Sequence, residues 1–328
     1  MNFFSPSLSV KRVRRTAVIR LASLCLLIFS CSYAFADRKT NVLFVASKST
    51  VDYVEVLDSV KRQLETENSQ VYAFITRFRP SEIDLKNDLS AADYIVTVGT
   101  TAADAVYKLK PKAPIISVLI TENAFLVLAE KHYGSVEKAF ATQVSSICLD
   151  QPVNRSIQLA KLLIPDVSKV GVMLGPASAD RQAELSQYIV GSGLQPQLVA
   201  INAKDNPIHK IEPVLSRSDV FIPISDSRLI NIATAKWILH LSYRHKVPVI
   251  AFSKSYLKAG ALAAIYSSPA DVAQDAAEWL VKAKGKAVGD LYKPAHYSMN
   301  FNKSVAGNLK IKLEAEQFYR DQFNREMK

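Results

Sequence analysis

Cysteine is almost missing from this 328-residue chain, and the short motifs of catalysis are missing altogether. Its three cysteines are Cys25, Cys31 and Cys148, and the first two fall in a basic, apolar leader. Once that leader is removed Cys148 stands alone, so an internal disulfide is excluded. A lone cysteine within Val144 to Leu149 reads as a small core residue rather than a nucleophile. There is no G-x-S-x-G, no Walker-type glycine loop, no G-x-G-x-x-G after a strand and no H-E-x-x-H. The five histidines, His132, His209, His240, His245 and His296, are scattered and are expected at the surface. His240 and His245 are not spaced to share a helix face toward a metal. Beyond the leader no apolar run is long enough to span a bilayer, and no low-complexity tract interrupts the chain. These absences leave a globular chain in which neither a cofactor nor a metal is expected.

The net charge of +11 invites a nucleic-acid reading. Five of the basic residues, Lys11, Arg12, Arg14, Arg15 and Arg20, lie in the first 36 positions, where there is no acid. The remainder carries 36 basic against 30 acidic residues, scattered and without a basic arm, so no nucleic-acid partner is expected. The leader has the order of a secretory signal: a basic start, the apolar Ala17 to Phe29, and Ala34-Phe35-Ala36 before Asp37. Cleavage after Ala36 and delivery to the periplasm are expected. Retention as a membrane anchor is one alternative, and lipidation at Cys31, which Phe29 fits poorly, is another.

What is present is a repeated grammar of apolar run, small polar turn and helix. It is clearest in Asp93 to Lys108, DYIVTVGTTAADAVYK, where Tyr94 to Val98 reads as a buried strand and Gly99-Thr100-Thr101 as the turn into a helix. Further strands are read at Val42–Ala46, Val71–Thr76 and Pro114–Ile120, then at Lys169–Leu174, Gln197–Ile201, Asp219–Ile224, Pro248–Phe252 and Ala261–Tyr266. Between the two series Gln143–Cys148 reads as a strand, and Asp150-Gln151-Pro152 as a helix start with Asp150 as its N-cap. The alternation predicts an α/β fold with parallel sheets in two comparable, Rossmann-like lobes.

In a parallel sheet the strand ends share one edge, and in a two-lobed protein two such edges face each other across a cleft. The residues at those ends are the candidate ligand-binding set: Ser47, Ser49, Thr50, Gly99, Thr100, Thr101, Thr121 and Glu122 from the first series, and Ser178, Ser225, Asp226 and Ser253 from the second. Each alone reads more readily as a turn former or cap, and only the set carries weight. Glu122 and Asp226 would also suit an acid and base pair on an exported enzyme of the same fold. A site for an ammonium group needs carboxylates there too. On the binding reading, Asp226→Ala is expected to weaken affinity by about 2 to 5 kcal/mol.

Several segments carry a family resemblance: DYIVTVGTTAADAVYK followed by APIISVLIT, LAKLLIPDVSKVGVMLGP, SDVFIPISDSRLIN, KVPVIAFSKSYLKAGALAAIYSSPADVAQDAAEWLVKAKGK, and the late FNKSVAGNLKIKL. In this order they resemble the substrate-binding proteins of ABC transporters, extracytoplasmic solute-binding proteins of the type I periplasmic-binding fold. The resemblance covers Asn41 to about Lys312. It implies a small-molecule ligand enclosed between lobes joined by crossing segments, hinge closure on binding, a membrane permease as partner, and a monomer or weak dimer. A periplasmic sensing module with a signalling or outer-membrane partner uses the same closure. The implied division is 37–145 with about 256–292 in the first lobe, and 146–255 with about 293–328 in the second. Aromatic amino acids are ligands of some family members. This chain has Thr121-Glu122-Asn123 where many relatives have Asp-Pro, and Lys138-Ala139-Phe140-Ala141-Thr142-Gln143 in place of an Asn-Thr-Gly signature. The small polar or zwitterionic ligand, an amino acid among the candidates, is therefore left unnamed.

Overall fold

Val42, Phe44, Val96 and Val98 have no exposed surface, and neither do Val45 and Ile95 on the opposite side of the same strands. A strand covered on both faces must be apolar at successive positions, which is why these segments read as unbroken hydrophobic runs. The computed structural model describes residues 39–68, 72–79, 81–202, 204–226, 228–283 and 289–326. The segment read as a secretory signal, with Cys25 and Cys31, and Ser227 lie outside the described residues.

The first lobe alternates β1 (Thr40–Ala46), α1 (Val51–Asn68), β2 (Tyr72–Phe78), α2 (Glu82–Ala91), β3 (Tyr94–Val98), α3 (Thr100–Leu109) and β4 (Ile115–Ile120). It continues through α4 (Glu122–Tyr133) and α5 (Val136–Ala141) to β5 (Val144–Cys148). The second lobe then runs α6 (Val153–Leu163), β6 (Lys169–Leu174), α7 (Gln182–Gly191), β7 (Gln195–Ala200), α8 (Pro207–Leu215) and β8 (Val220–Pro223). It goes on with α9 (Ile232–His245), β9 (Ile250–Ala251), α10 (Lys254–Ala259) and β10 (Ala263–Tyr266). The tail supplies α11 (Pro269–Lys282), β11 (Leu291–Tyr292), β12 (Ser298–Phe301), α12 (Lys303–Asn308) and α13 (Glu316–Glu326).

The first sheet has the order β11-β5-β4-β3-β1-β2, and all its pairings are parallel. The second lobe holds β7-β6-β8 and β9-β10-β12, joined where Phe221 bridges in parallel to Val249. Its β12 is antiparallel to β10 and closes that edge. Burying one large apolar side chain such as Phe44 or Phe221 is worth about 1.5 to 3 kcal/mol, and each lobe has a core on both faces of its sheet.

The tail is shared between the lobes. Val272, Ala276 and Trp279 of α11 pack in the first core beside Tyr94, whose hydroxyl donates to the carbonyl of Ala283 at 3.0 Å. Tyr319 and Phe323 of α13 pack in the second. Two expected boundaries are corrected. Strand β5 pairs with β4 and β11, so the first lobe runs to Cys148 and not to 145. The stretch from 256 to 266 belongs to the second lobe, because β10 pairs with β9 and β12 and its Ala263 and Ile265 are buried in the second core. The chain returns to the first lobe only after Tyr266. Among the described residues three segments therefore cross, near 149–152, 267–268 and 293–297.

Those crossings are tied to one another. Gln151 donates to Ser267 Oγ at 2.8 Å and accepts from the Arg155 guanidinium at 2.6 Å. The same guanidinium lies 4.1 Å from the centre of the Tyr297 ring, a stacking that orients the third crossing against the first two. The histidines are also more structural than a surface role implies: His132 pairs with Asp104 at 2.7 Å, His245 with Glu212 at 3.2 Å and His296 with Asp275 at 2.6 Å. His209 and His240 are exposed.

Candidate functional site

At the carboxyl end of β1, Ser47 is buried and accepts the N–H of Ala102 at 2.8 Å, so it caps α3 from a neighbouring strand. Gly99, in the N-cap position itself, has φ +88° and cannot supply a side-chain cap. A Cβ there would lie 2.7 Å from Ser47 Oγ and 2.8 Å from the Tyr53 ring. The turn is closed over by Ser47 and Tyr53, which leaves room for hydrogen only. Gly99→Ala is expected to destabilise the fold by about 1 to 3 kcal/mol from backbone strain alone, read as a lower midpoint in urea unfolding. Ser49, Thr50, Thr100 and Thr101 are exposed around this turn.

A cavity of 330 Å³ lies between the lobes, within the size range of small-molecule pockets. The first lobe contributes Thr121, at the end of β4, where a register shift and a positive φ of 52° at Leu119 turn the chain into α4. The first crossing contributes Asp150 and Gln151, the second contributes Ser267, and Tyr266 stands at the end of β10 just before it. From the second lobe come Arg181, Ser225, Phe252, Ser253 and Lys254. The cavity thus has a carboxylate on the crossing, two cations on the second lobe, hydroxyls between them and two aromatic rings.

Of the residues expected from the strand ends, Thr121, Ser225 and Ser253 line this cavity, while Ser47, Ser49, Thr50, Gly99, Thr100, Thr101, Glu122, Ser178 and Asp226 do not. Thr121 and Ser253 also cap α4 and α10, accepting from the N–H groups of Ala124 and Tyr256 at 3.3 Å each. Two carboxylates need correction as ammonium partners. Asp226 is 2% exposed and turned into the second lobe. There it accepts from the Ala177 N–H at 3.0 Å, the Ser178 hydroxyl at 2.7 Å and the Arg228 N–H at 2.9 Å. Its oxygens knit the loop after β6 to the loop after β8, and Ser178 is held in the same knot. Glu122 is paired with Lys293 of the third crossing, so its charge is already matched.

Asp150 is the carboxylate that does line the cavity. It does not cap its own helix: α6 begins at Val153 with Pro152 at the N-cap and no side-chain bond. Its Oδ2 instead accepts the Glu122 N–H at 2.6 Å, at the start of α4 in the other lobe. Burial desolvates the carboxyl and holds its pKa above the ordinary 3.8, an upward push that the Glu122 N–H, Lys293 and Arg181 only partly offset. A carboxyl whose folded pKa is raised favours folding while protonated, and that contribution is lost as pH rises through the folded pKa. Asp150→Asn keeps an acceptor for the Glu122 N–H and removes the buried charge. The variant is expected to melt above wild type at pH 7, with the difference vanishing below about pH 3.8, as thermal melts of both proteins across that range would record.

Arg181 sits in the short turn before α7, one third exposed, with Glu184 3.6 Å away as a weak surface partner. Neither it nor Asp150 was among the strand-end candidates. Among the described residues no cluster of histidine, cysteine and carboxylate side chains could hold a metal. Cys148 is buried, and burial pushes its thiol up to about 12, which leaves it protonated and unreactive.

A family profile described as ABC transporter substrate binding protein matches residues 83–320. The chain belongs to the ABC transporter substrate-binding protein family. Solved structures agree in fold. A ligand-free, open substrate-binding protein with adhesive properties from Clostridium difficile superimposes with a TM-score of 0.64 at 15% identity, covering 85% of this chain and 97% of that one. An ABC domain from Streptococcus pneumonia in complex with L-Trp gives 0.51 at 18% identity, covering 83% and 96%. A search by sequence among curated proteins found no match. Proteins of this family bind small molecules, work with ABC permeases and are normally extracytoplasmic. Among the described residues no helix is long and apolar enough to cross a membrane.

Proposed function

We propose that this family member is the exported solute-binding component of an ABC-type uptake system, and that it closes on a small zwitterion, an amino acid being the simplest case. The observation that carries this reading is the charge arrangement of the cleft. Asp150, on the crossing, offers a partly desolvated carboxylate, and Arg181 and Lys254 offer cations from the second lobe of the same 330 Å³ cavity. An ammonium group suits the first and a carboxylate the second, since charge-assisted hydrogen bonds of this kind are the strong ones in a partly desolvated site. Ser225, Ser253 and Thr121 add neutral donors and acceptors, and Phe252 and Tyr266 give an apolar wall. Because the lining comes from both lobes and from the crossings, a ligand there bridges parts that move against each other. Closure then presents a changed surface to the permease. Cleavage after Ala36 delivers the protein to the periplasm as a binder, not a catalyst.

The test is a thermal-shift screen of the protein from Asp37 onward against amino acids, small peptides, purines and organic acids, with mass spectrometry of whatever co-purifies. A ligand at about 100 times its dissociation constant adds about 2.7 kcal/mol to stability. Zwitterionic hits support the reading. Hits confined to uncharged solutes such as sugars would remove the roles given to Asp150 and Arg181.

A further inference from the structure

The cleft is not the largest concavity of the second lobe. Strand β9 has the cleft at its carboxyl end and, at its amino end, an open groove of 680 Å³ on the pole turned away from the first lobe. The groove runs between the last turns of α9, the segment Lys246 to Val249, the turn at Ala259-Gly260 and α12. Its floor is apolar, built by Leu239, Val305 and Leu309, and its rim carries Lys236, His240 and Lys246. Among the described residues no aspartate or glutamate lines it.

Some of this charge has a local explanation. Arg244, also at the rim, and His245 belong to the last turn of α9, where cations complement the partial negative charge of the helix end, and Glu212 pairs with both. Lys236 and His240 lie further back on the helix and are not accounted for in that way. Among the described residues neither Lys236 nor Lys246 has an ion-pair partner. An apolar floor under unpaired cations is complementary to one class of small molecule: a body of hydrocarbon or aromatic ring carrying one anionic group. The volume lies within the range of small-molecule pockets.

We propose that this groove is a second binding site, for an amphipathic organic anion such as a medium-chain or aryl carboxylate, separate from the solute cleft. The carboxylate meets Lys236 and Lys246 at the rim, and the apolar body displaces water from Leu239, Val305 and Leu309. The proposal does not depend on the identity of the cleft ligand.

Sodium octanoate is the probe, titrated by calorimetry into wild type, into the double variant Lys236→Glu with Lys246→Glu, and into Arg181→Ala. Octanol serves as the uncharged control. Both rim residues are exposed, but Lys246 is the C-cap of α9, where an acid opposes the helix end, so a melting curve verifies that the double variant is folded at the titration temperature. The expected result is one octanoate site in wild type, weakened at least about tenfold by the double charge reversal and unchanged by Arg181→Ala, with octanol at least about tenfold weaker. Binding that survives the charge reversal, binding lost with Arg181→Ala, or no octanoate binding at all would overturn the proposal. So would a glutamate-rich peptide that binds this face while octanoate does not.

Discussion

Asp226→Ala will lower the stability of the protein by about 3 to 4 kcal/mol and leave solute affinity of the folded molecule unchanged. The carboxylate is 2% exposed, and alanine would strand three donors around it: the Ala177 N–H, the Ser178 hydroxyl and the Arg228 N–H. A hydrogen bond to a charged group contributes about 1.5 to 3 kcal/mol, and buried donors left without a partner add a desolvation cost. Gly175 already lies so close that a Cβ there would sit 2.6 Å from Asp226 Oδ2, so the loop cannot collapse inward without displacing other atoms. The measurement is the urea midpoint beside a solute titration at a temperature where the variant is folded. A variant of normal stability that has lost binding would return Asp226 to the cleft, where the sequence alone had put it.

Arg181→Ala will show the reverse pattern. Its side chain is one third exposed and its contact with Glu184 is a weak surface pair, so truncation costs the fold less than about 0.5 kcal/mol. Arg181 lines the cavity with Asp150 and Ser253, and on the proposed reading it is the partner of a ligand carboxylate. Losing it will weaken zwitterion binding by about 2 kcal/mol, near thirtyfold, toward the low end of the range for truncating a charge partner because water reaches the group. Arg181→Lys will recover only part of this, since an ammonium cannot form the two parallel hydrogen bonds of a guanidinium. The two variants together separate a residue that supports the cleft wall from the residue proposed to read the ligand.

Much of the fold was legible because parallel strands buried on both faces leave an unmistakable apolar run. The segments from Tyr94 to Val98 and from Val144 to Cys148 stand in the sheet almost as read. What was not legible depends on distant partners. Strand β11 is two residues long and exists only because Leu291 and Tyr292 dock beside Ser146 and Ile147. The lobe to which β10 belongs is set by its neighbours β9 and β12, one of them more than thirty residues later, and not by anything in Ala263–Tyr266 itself. Helix α2 was hidden because its surface is largely polar, with only Leu85 and Leu89 buried.

The candidate site divides along the same line. Thr121, Ser225 and Ser253 were legible because they end strands, and strand ends of parallel sheets lie at the cleft. Whether an acid at such an end points outward or inward is decided elsewhere. Asp226 is drawn inward by Ala177 and Ser178, residues of a different loop, whereas Asp150, expected to cap its own helix, reaches across to the start of α4. Arg181 carries no local signal, since a basic residue in a short turn is ordinary at the surface. The spacing of Thr100 and Thr101 at a helix start suggested a ligand site, yet the cavity opens along the neighbouring strands and leaves them aside.

The most direct measurement is the crystal structure of the protein with the solute that raises its melting temperature. Its ammonium is expected about 3 Å from Asp150, its carboxylate at Arg181, and its remaining polar atoms at Ser253 and Thr121. A solute bound at the exposed Thr100-Thr101 turn, or in the cleft without contact to Asp150 or Arg181, would contradict that assignment.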